Sequence, residues 1–178
     1  VLFRSITVTY DAVNGKVVAN QGPFVLTKYN ANHEYAMDGV AYLAENQIAT
    51  VEPNLGYHLT GWTPEKPTTE IALNEDMKFV ATFVINEYQA TVKYIDEETK
   101  AEIGTAKEVP AKHGDTINGE DYKIDIEDYV YTHAESKAIT EEGMIVNVYY
   151  SADENHDEIP DKYQIHVNYN AVNGTITA

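Results

Sequence analysis

The sequence predicts a mainly β chain made of two small tandem modules, each with room for one short helix. Three observations predict it. Val, Ile, Thr and Tyr recur at alternate positions, the pattern of half-buried strands. Tyr supplies 14 residues, against 4 Phe and 1 Trp. The stretch ITVTYDAVNGKVVA at 6–19 returns as IHVNYNAVNGTITA at 165–178, with eight of the fourteen positions identical at a constant offset of 159 residues. An internal repeat of that kind marks an array.

The first module opens with Ile6, Val8 and Tyr10 alternating up to Asn14-Gly15, and resumes at Val17. Asn-Gly between alternating stretches predicts a two-residue type I′ hairpin, which needs φ > 0 at both positions. Residues 36–49 read either as a short helix or as a strand followed by a turn, with Gly39 arguing against a long helix. A Pro-rich loop follows, then a strand over Lys78–Ile85, and Trp62 is expected to anchor this module's core.

The second module restarts at Glu87. Ala90, Val92 and Tyr94 share one strand face before an acidic turn. Tyr122, Ile124 and Ile126 predict a strand that turns over at Glu127-Asp128 into Tyr129 and Tyr131. Met144, Val146, Val148 and Tyr150 close the module. The expected boundaries are 6–87 for the first module, 88–150 for the second, 151–162 for an acidic linker and 163–178 for a truncated start of the next repeat. Residues 1–5, VLFRS, are what the end of a common sequencing adapter would encode; they are expected to be a read artefact and are set aside. The chain is expected to be a piece of a longer one.

Charge narrows the partners. The net charge is −17, with 19 acidic against 7 basic side chains over residues 89–162. A nucleic-acid partner needs a basic footprint, and none is present. Anionic mucin sugars are repelled at long range, although salt screens that beyond about 8 Å. No run of apolar residues is long enough to span a membrane, so no membrane contact is expected for this segment. Cysteine is absent, which leans towards an exported protein of a Gram-positive bacterium.

One segment has a metal-like spacing. Asp153, Asn155, Asp157, the Ile159 carbonyl and Asp161 stand at positions 1, 3, 5, 7 and 9 of an EF-hand-style loop, where alternating oxygens wrap a Ca2+ ion. Position 6, which favours Gly, is Glu158, and position 12 is Gln164 in place of a bidentate Glu. A bound Ca2+ would therefore be weak, with a Kd on the order of 10⁻⁴ to 10⁻³ M. The competing reading is a solvated linker stiffened by Pro160. The six histidines are scattered, and no nucleophile or phosphate-loop motif occurs, so no enzyme is expected. Tyr149-Tyr150 and Tyr129-Val130-Tyr131 place rings on both strand faces, which suits sugar stacking but equally suits any half-exposed strand.

Residues 89–150 resemble the MucBP (mucin-binding protein) module of Gram-positive surface proteins. The resemblance rests on Val92–Asp96, Glu97-Glu98, Gly114-Asp115, Tyr129 and the closing Val146–Tyr150, with Glu98-Thr99 and Asp128 where that pattern has glycines. Residues 6–86, with VNG, GYHLTGW and MKFVATF, resemble surface repeats of the Listeria–Bacteroides type, and DENHDEIPDKYQ resembles a junction between such repeats. The resemblance implies β-rich modules, the second β-grasp-like, on an extracellular, wall-attached protein without catalysis. It implies adhesion to host mucin or another glycoprotein, with tandem copies along one chain; the alternative is a stalk that only projects a terminal domain.

Overall fold

The computed structural model describes residues 5–165, 167, 172–174 and 177. Val1–Arg4, most of the expected 1–5 artefact, and most of the second copy at 165–178 lie outside the described residues. The chain divides into two compact units, Val1–Glu87 and Tyr88–Ala178. Both are β throughout, and among the described residues the only helical turns are short 3-10 segments such as Glu45–Gln47 and Gly119–Tyr122. The short helix for which each module has room is not formed among the described residues, where only such 3-10 turns occur.

Unit 1 holds β1 (Ser5–Val13), β2 (Gly15–Ala19), β3 (Phe24–Thr27), β4 (Thr50–Pro53), β5 (Tyr57–Thr63) and β6 (Met77–Ile85). Its main sheet has the order β3-β1-β6-β5, with β2 and β4 forming a separate two-stranded sheet. The first and last strands are neighbours and parallel, in register from Val8 opposite Met77 to Val13 opposite Thr82. Strand alternation builds the core. Ile6 and Val8 of β1 and Phe79, Ala81 and Phe83 of β6 are buried. Each large member stabilises by about 1.5–3 kcal/mol on burial. Trp62 is half-buried against this core, edge-on to Tyr10 at 6.3 Å between ring centres.

Asn14-Gly15 does not form the expected hairpin. β1 pairs with β3 and β6, while β2 pairs with β4. Asn14 is left-handed at φ 60°, but Gly15 is not among the residues with positive φ, so the I′ geometry is not met. Gly15 is required for space instead. A Cβ there would lie 2.5 Å from the Phe83 ring and 2.6 Å from the Glu52 carbonyl oxygen.

Unit 2 holds β7 (Glu87–Asp96), β8 (Lys107–Lys112), β9 (Thr116–Asn118), β10 (Tyr129–Ala134), β11 (Ser136–Ala138) and β12 (Ile145–Ala152). Its main sheet runs β10-β12-β7-β8, and β9 pairs with β11 beside it. Again the first and last strands are central and parallel, Thr91 opposite Ile145 through Asp96 opposite Tyr150. The two units therefore share one mixed strand order. Ala90, Val92 and Tyr94 face Val146, Val148 and Tyr150 in one buried cluster, as the alternation predicts.

The expected strand over Tyr122, Ile124 and Ile126 is absent. Tyr122 ends a 3-10 turn, and the chain reaches β10 through a left-handed Asp128 at φ 61°. The alternation there reflects a loop wrapped on the core. The backbone of Ile124 both donates to and accepts from the Tyr150 hydroxyl, at 2.9 and 2.8 Å.

Candidate functional site

The acidic segment after β12 is folded against unit 2. Asp153 is buried at 5% exposure, and its N–H donates to the Asp128 carbonyl at 2.8 Å. Its carboxylate accepts the backbone N–H groups of Asp157 (3.2 Å) and Glu158 (3.0 Å). Glu158 takes φ 66°, the left-handed conformation for which that position favours glycine. Two side-chain ties hold the segment from outside. His156 Nε2 meets Asp128 at 2.9 Å, and this hydrogen bond pushes the imidazole pKa above its usual value. Lys162 meets Glu97 at 2.9 Å.

The residues expected to hold a metal are partly gathered there. Asn155 accepts the Asp157 N–H and donates to the Asp157 carboxylate at 3.2 Å. The Gln164 amide nitrogen donates to both Asp157 Oδ1 and the Ile159 carbonyl, each at 2.9 Å, so two of the expected oxygens converge on one point. Asp161 is turned to the backbone N–H of Glu154 at 3.1 Å. Among the described residues, no three His, Cys, Asp or Glu side chains converge as a metal set.

Four tyrosines of unit 2 are engaged in the fold, while Tyr163 is exposed. Tyr150 is held at Ile124, and the Tyr94 hydroxyl donates to the Tyr122 carbonyl at 3.0 Å. Tyr149 stacks on His133 with ring centres 4.6 Å apart, and Tyr131 meets Tyr150 edge-on.

Exposed rings gather in unit 1 instead, on a compact loop from Lys28 to Tyr42. Tyr29 bridges to Val40 through two backbone hydrogen bonds of 2.9 and 3.0 Å. Asn30 Oδ1 accepts the N–H groups of Asn32 and Glu34, an Asx turn closing the tip. Gly39 lets the chain pass closely, since a Cβ there would sit 2.5 Å from the Tyr29 carbonyl. Lys28 is buried, with its ammonium on the Asn74 carbonyl at 3.1 Å. The loop presents Tyr29, Tyr35 and Tyr42 at 38%, 62% and 54% exposure. Tyr29 and Tyr35 stack with centres 5.2 Å apart, and the Tyr35 hydroxyl holds the Tyr29 phenol above its usual pKa. Beside them lies a cavity of 690 Å³ bordered by Val25, Thr27, Tyr29, His33 and Tyr42. Sequence reasoning missed this group, because Tyr29, Tyr35 and Tyr42, six and then seven residues apart, follow no single helical or strand period.

No family model matches the chain, and no curated protein matches it. Among solved structures it is similar to domains 3–4 of the Streptococcal High Identity Repeats in Tandem (SHIRT) of a cell surface protein. That match has 13% identity and a TM-score of 0.40, and covers 82% of this chain and 96% of that one. No helix among the described residues is long and apolar enough to cross a membrane.

Proposed function

We propose that the chain is a repeat segment of a Gram-positive cell-surface protein, extracellular and wall-attached, in which a Listeria–Bacteroides-type repeat and a MucBP-like module alternate as a non-catalytic spacer. One observation carries the reading. In both units the first and last strands lie side by side and parallel, each pair over six residue couples. The chain thus enters beside one end of this strand pair and leaves at the other, which suits units joined head to tail. The repeat adds to it: Asn173, the counterpart of Asn14, has φ 61° against 60°. Proteins carrying one, two and three copies of the 159-residue period test the reading by small-angle scattering. The maximum dimension should grow by a constant increment per copy; growth as the cube root of mass would overturn it.

A second reading, adhesion to host mucin or another glycoprotein, is favoured by the exposed rings of the 28–42 loop. Surface-plasmon binding to mucin before and after deglycosylation separates the two. The 153–164 loop is proposed as a weak Ca2+ site in which the ion takes the place of the Gln164 amide. Millimolar Ca2+ should then raise the melting temperature of the chain, reversibly with chelator, and Asp157→Ala should abolish the shift; no shift would leave the loop as a self-bonded connector.

A further inference from the structure

We propose that the cavity between β3 and the 28–42 loop of unit 1 binds a neutral pyranose, with the sugar's C–H face on the tyrosine rings and its hydroxyls on His33 and Tyr42. The proposal goes beyond the spacer reading and stands apart from it.

Size and chemistry choose the ligand. A volume of 690 Å³ lies within the range of roughly 300–1,000 Å³ typical of small-molecule sites. Aromatic faces are electron-rich, and the axial C–H groups of a pyranose present the matching positive surface. A sugar also needs polar partners at its edge. His33, whose ring meets Tyr29 edge-on at 6.1 Å between centres, and the half-exposed Tyr42 both border the cavity and supply such groups.

Charge settles neutrality. No Asp, Glu, Lys or Arg borders the cavity, although the chain as a whole is −17. Of the loop's charged residues, Glu34 is bonded to Asn30 Nδ2 at 3.2 Å and Lys28 to the Asn74 carbonyl, and Asp38 is not among the residues bordering the cavity. An anionic sugar finds no cation here and is repelled by the surrounding field. A quaternary ammonium finds rings but no facing carboxylate.

The loop is also set before a ligand arrives. The Asx turn at Asn30, the Tyr29–Val40 bridge and the tight passage at Gly39 fix the backbone beneath all three rings. Binding then orders little that is not ordered already.

Saturation-transfer NMR on the full chain tests this, using the methyl pyranosides of glucose, galactose, mannose and N-acetylglucosamine. Sialic acid and tetramethylammonium serve as charged controls. At least one neutral pyranoside should bind in the millimolar range, with strongest transfer to its C–H face. Tyr29→Ala and Tyr42→Ala, which remove the two rings bordering the cavity, should each weaken it about fivefold or more, whereas Tyr42→Phe, which keeps the ring and loses only the hydroxyl contact, should weaken it less. Tyr163→Ala, an exposed ring of unit 2, should change nothing. Both loop tyrosines are exposed, so circular dichroism of the variants should match the parent. Three results would overturn the proposal: no transfer to any neutral sugar, transfer indifferent to both alanine variants, or binding of a charged control in the sugars' place. The scattering dimensions of the repeat are untouched by any of these.

Discussion

Asn14 Nδ2 donates to the carbonyl of Phe83, 3.1 Å away, and so ties the corner that ends β1 to the strand lying parallel beside it. The Asn14 carbonyl in turn accepts the N–H of Asn54 at 3.0 Å. A single left-handed residue thus lets the chain leave one sheet for another while its polar groups stay paired.

The residue after that corner is tightly enclosed. Gly15→Ala drives a methyl into the Phe83 ring and the Glu52 carbonyl, and the carbonyl belongs to a paired strand that cannot easily yield. The expected cost is about 1–3 kcal/mol, read as a fall in the urea midpoint. Gly61→Ala is the control, because nothing lies within 4 Å of a Cβ there.

Tyr150→Phe removes one oxygen and leaves two backbone groups of Ile124 without their partner. Tyr150 is only 1% exposed and both bonds are part-buried, so the loss exceeds that of an exposed hydrogen bond, at about 1–3 kcal/mol. Urea unfolding followed by the near-ultraviolet signal of unit 2 measures it.

Asp96 gives unit 2 an acid dependence. Burial works against its charge, but hydrogen bonds from Thr99 Oγ1, the N–H groups of Glu98 and Thr99 and the Tyr129 hydroxyl outweigh it and hold the carboxyl below 3.8. A folded pKa below the unfolded one means a contribution fully present above about 3.8 and lost as pH falls through the folded value. Asp96→Asn should therefore be less stable than the parent at neutral pH, by about 1–3 kcal/mol. The gap should close as the pH drops below that range, which unfolding curves at a series of pH values would follow.

Strand cores were legible because alternation is local. Ala90, Val92 and Tyr94, and Val146, Val148 and Tyr150, are buried where the pattern places them. Pairing was not legible, since β1 meets β6 across about seventy residues and no local signal specifies a parallel neighbour. Two local patterns misled. Asn14-Gly15 has hairpin composition, but a packing contact is what demands its glycine. Tyr122, Ile124 and Ile126 alternate in a loop whose backbone is committed to the Tyr150 hydroxyl. Of the candidate sites, the acidic loop showed in the spacing of its oxygens. The tyrosine cavity of unit 1 did not, because a turn and a close backbone passage assemble it.

Pulling the chain by its ends tests the spacer reading most directly. Tension along β7 and β12 of unit 2 shears six residue couples at once, whereas pulling across the sheet from Glu108 on β8 and Thr132 on β10 parts the strands one bond at a time. Single-molecule rupture from the chain ends should need clearly more force than the cross-sheet geometry. Equal or lower force from the ends would contradict a segment built to bear load along its length.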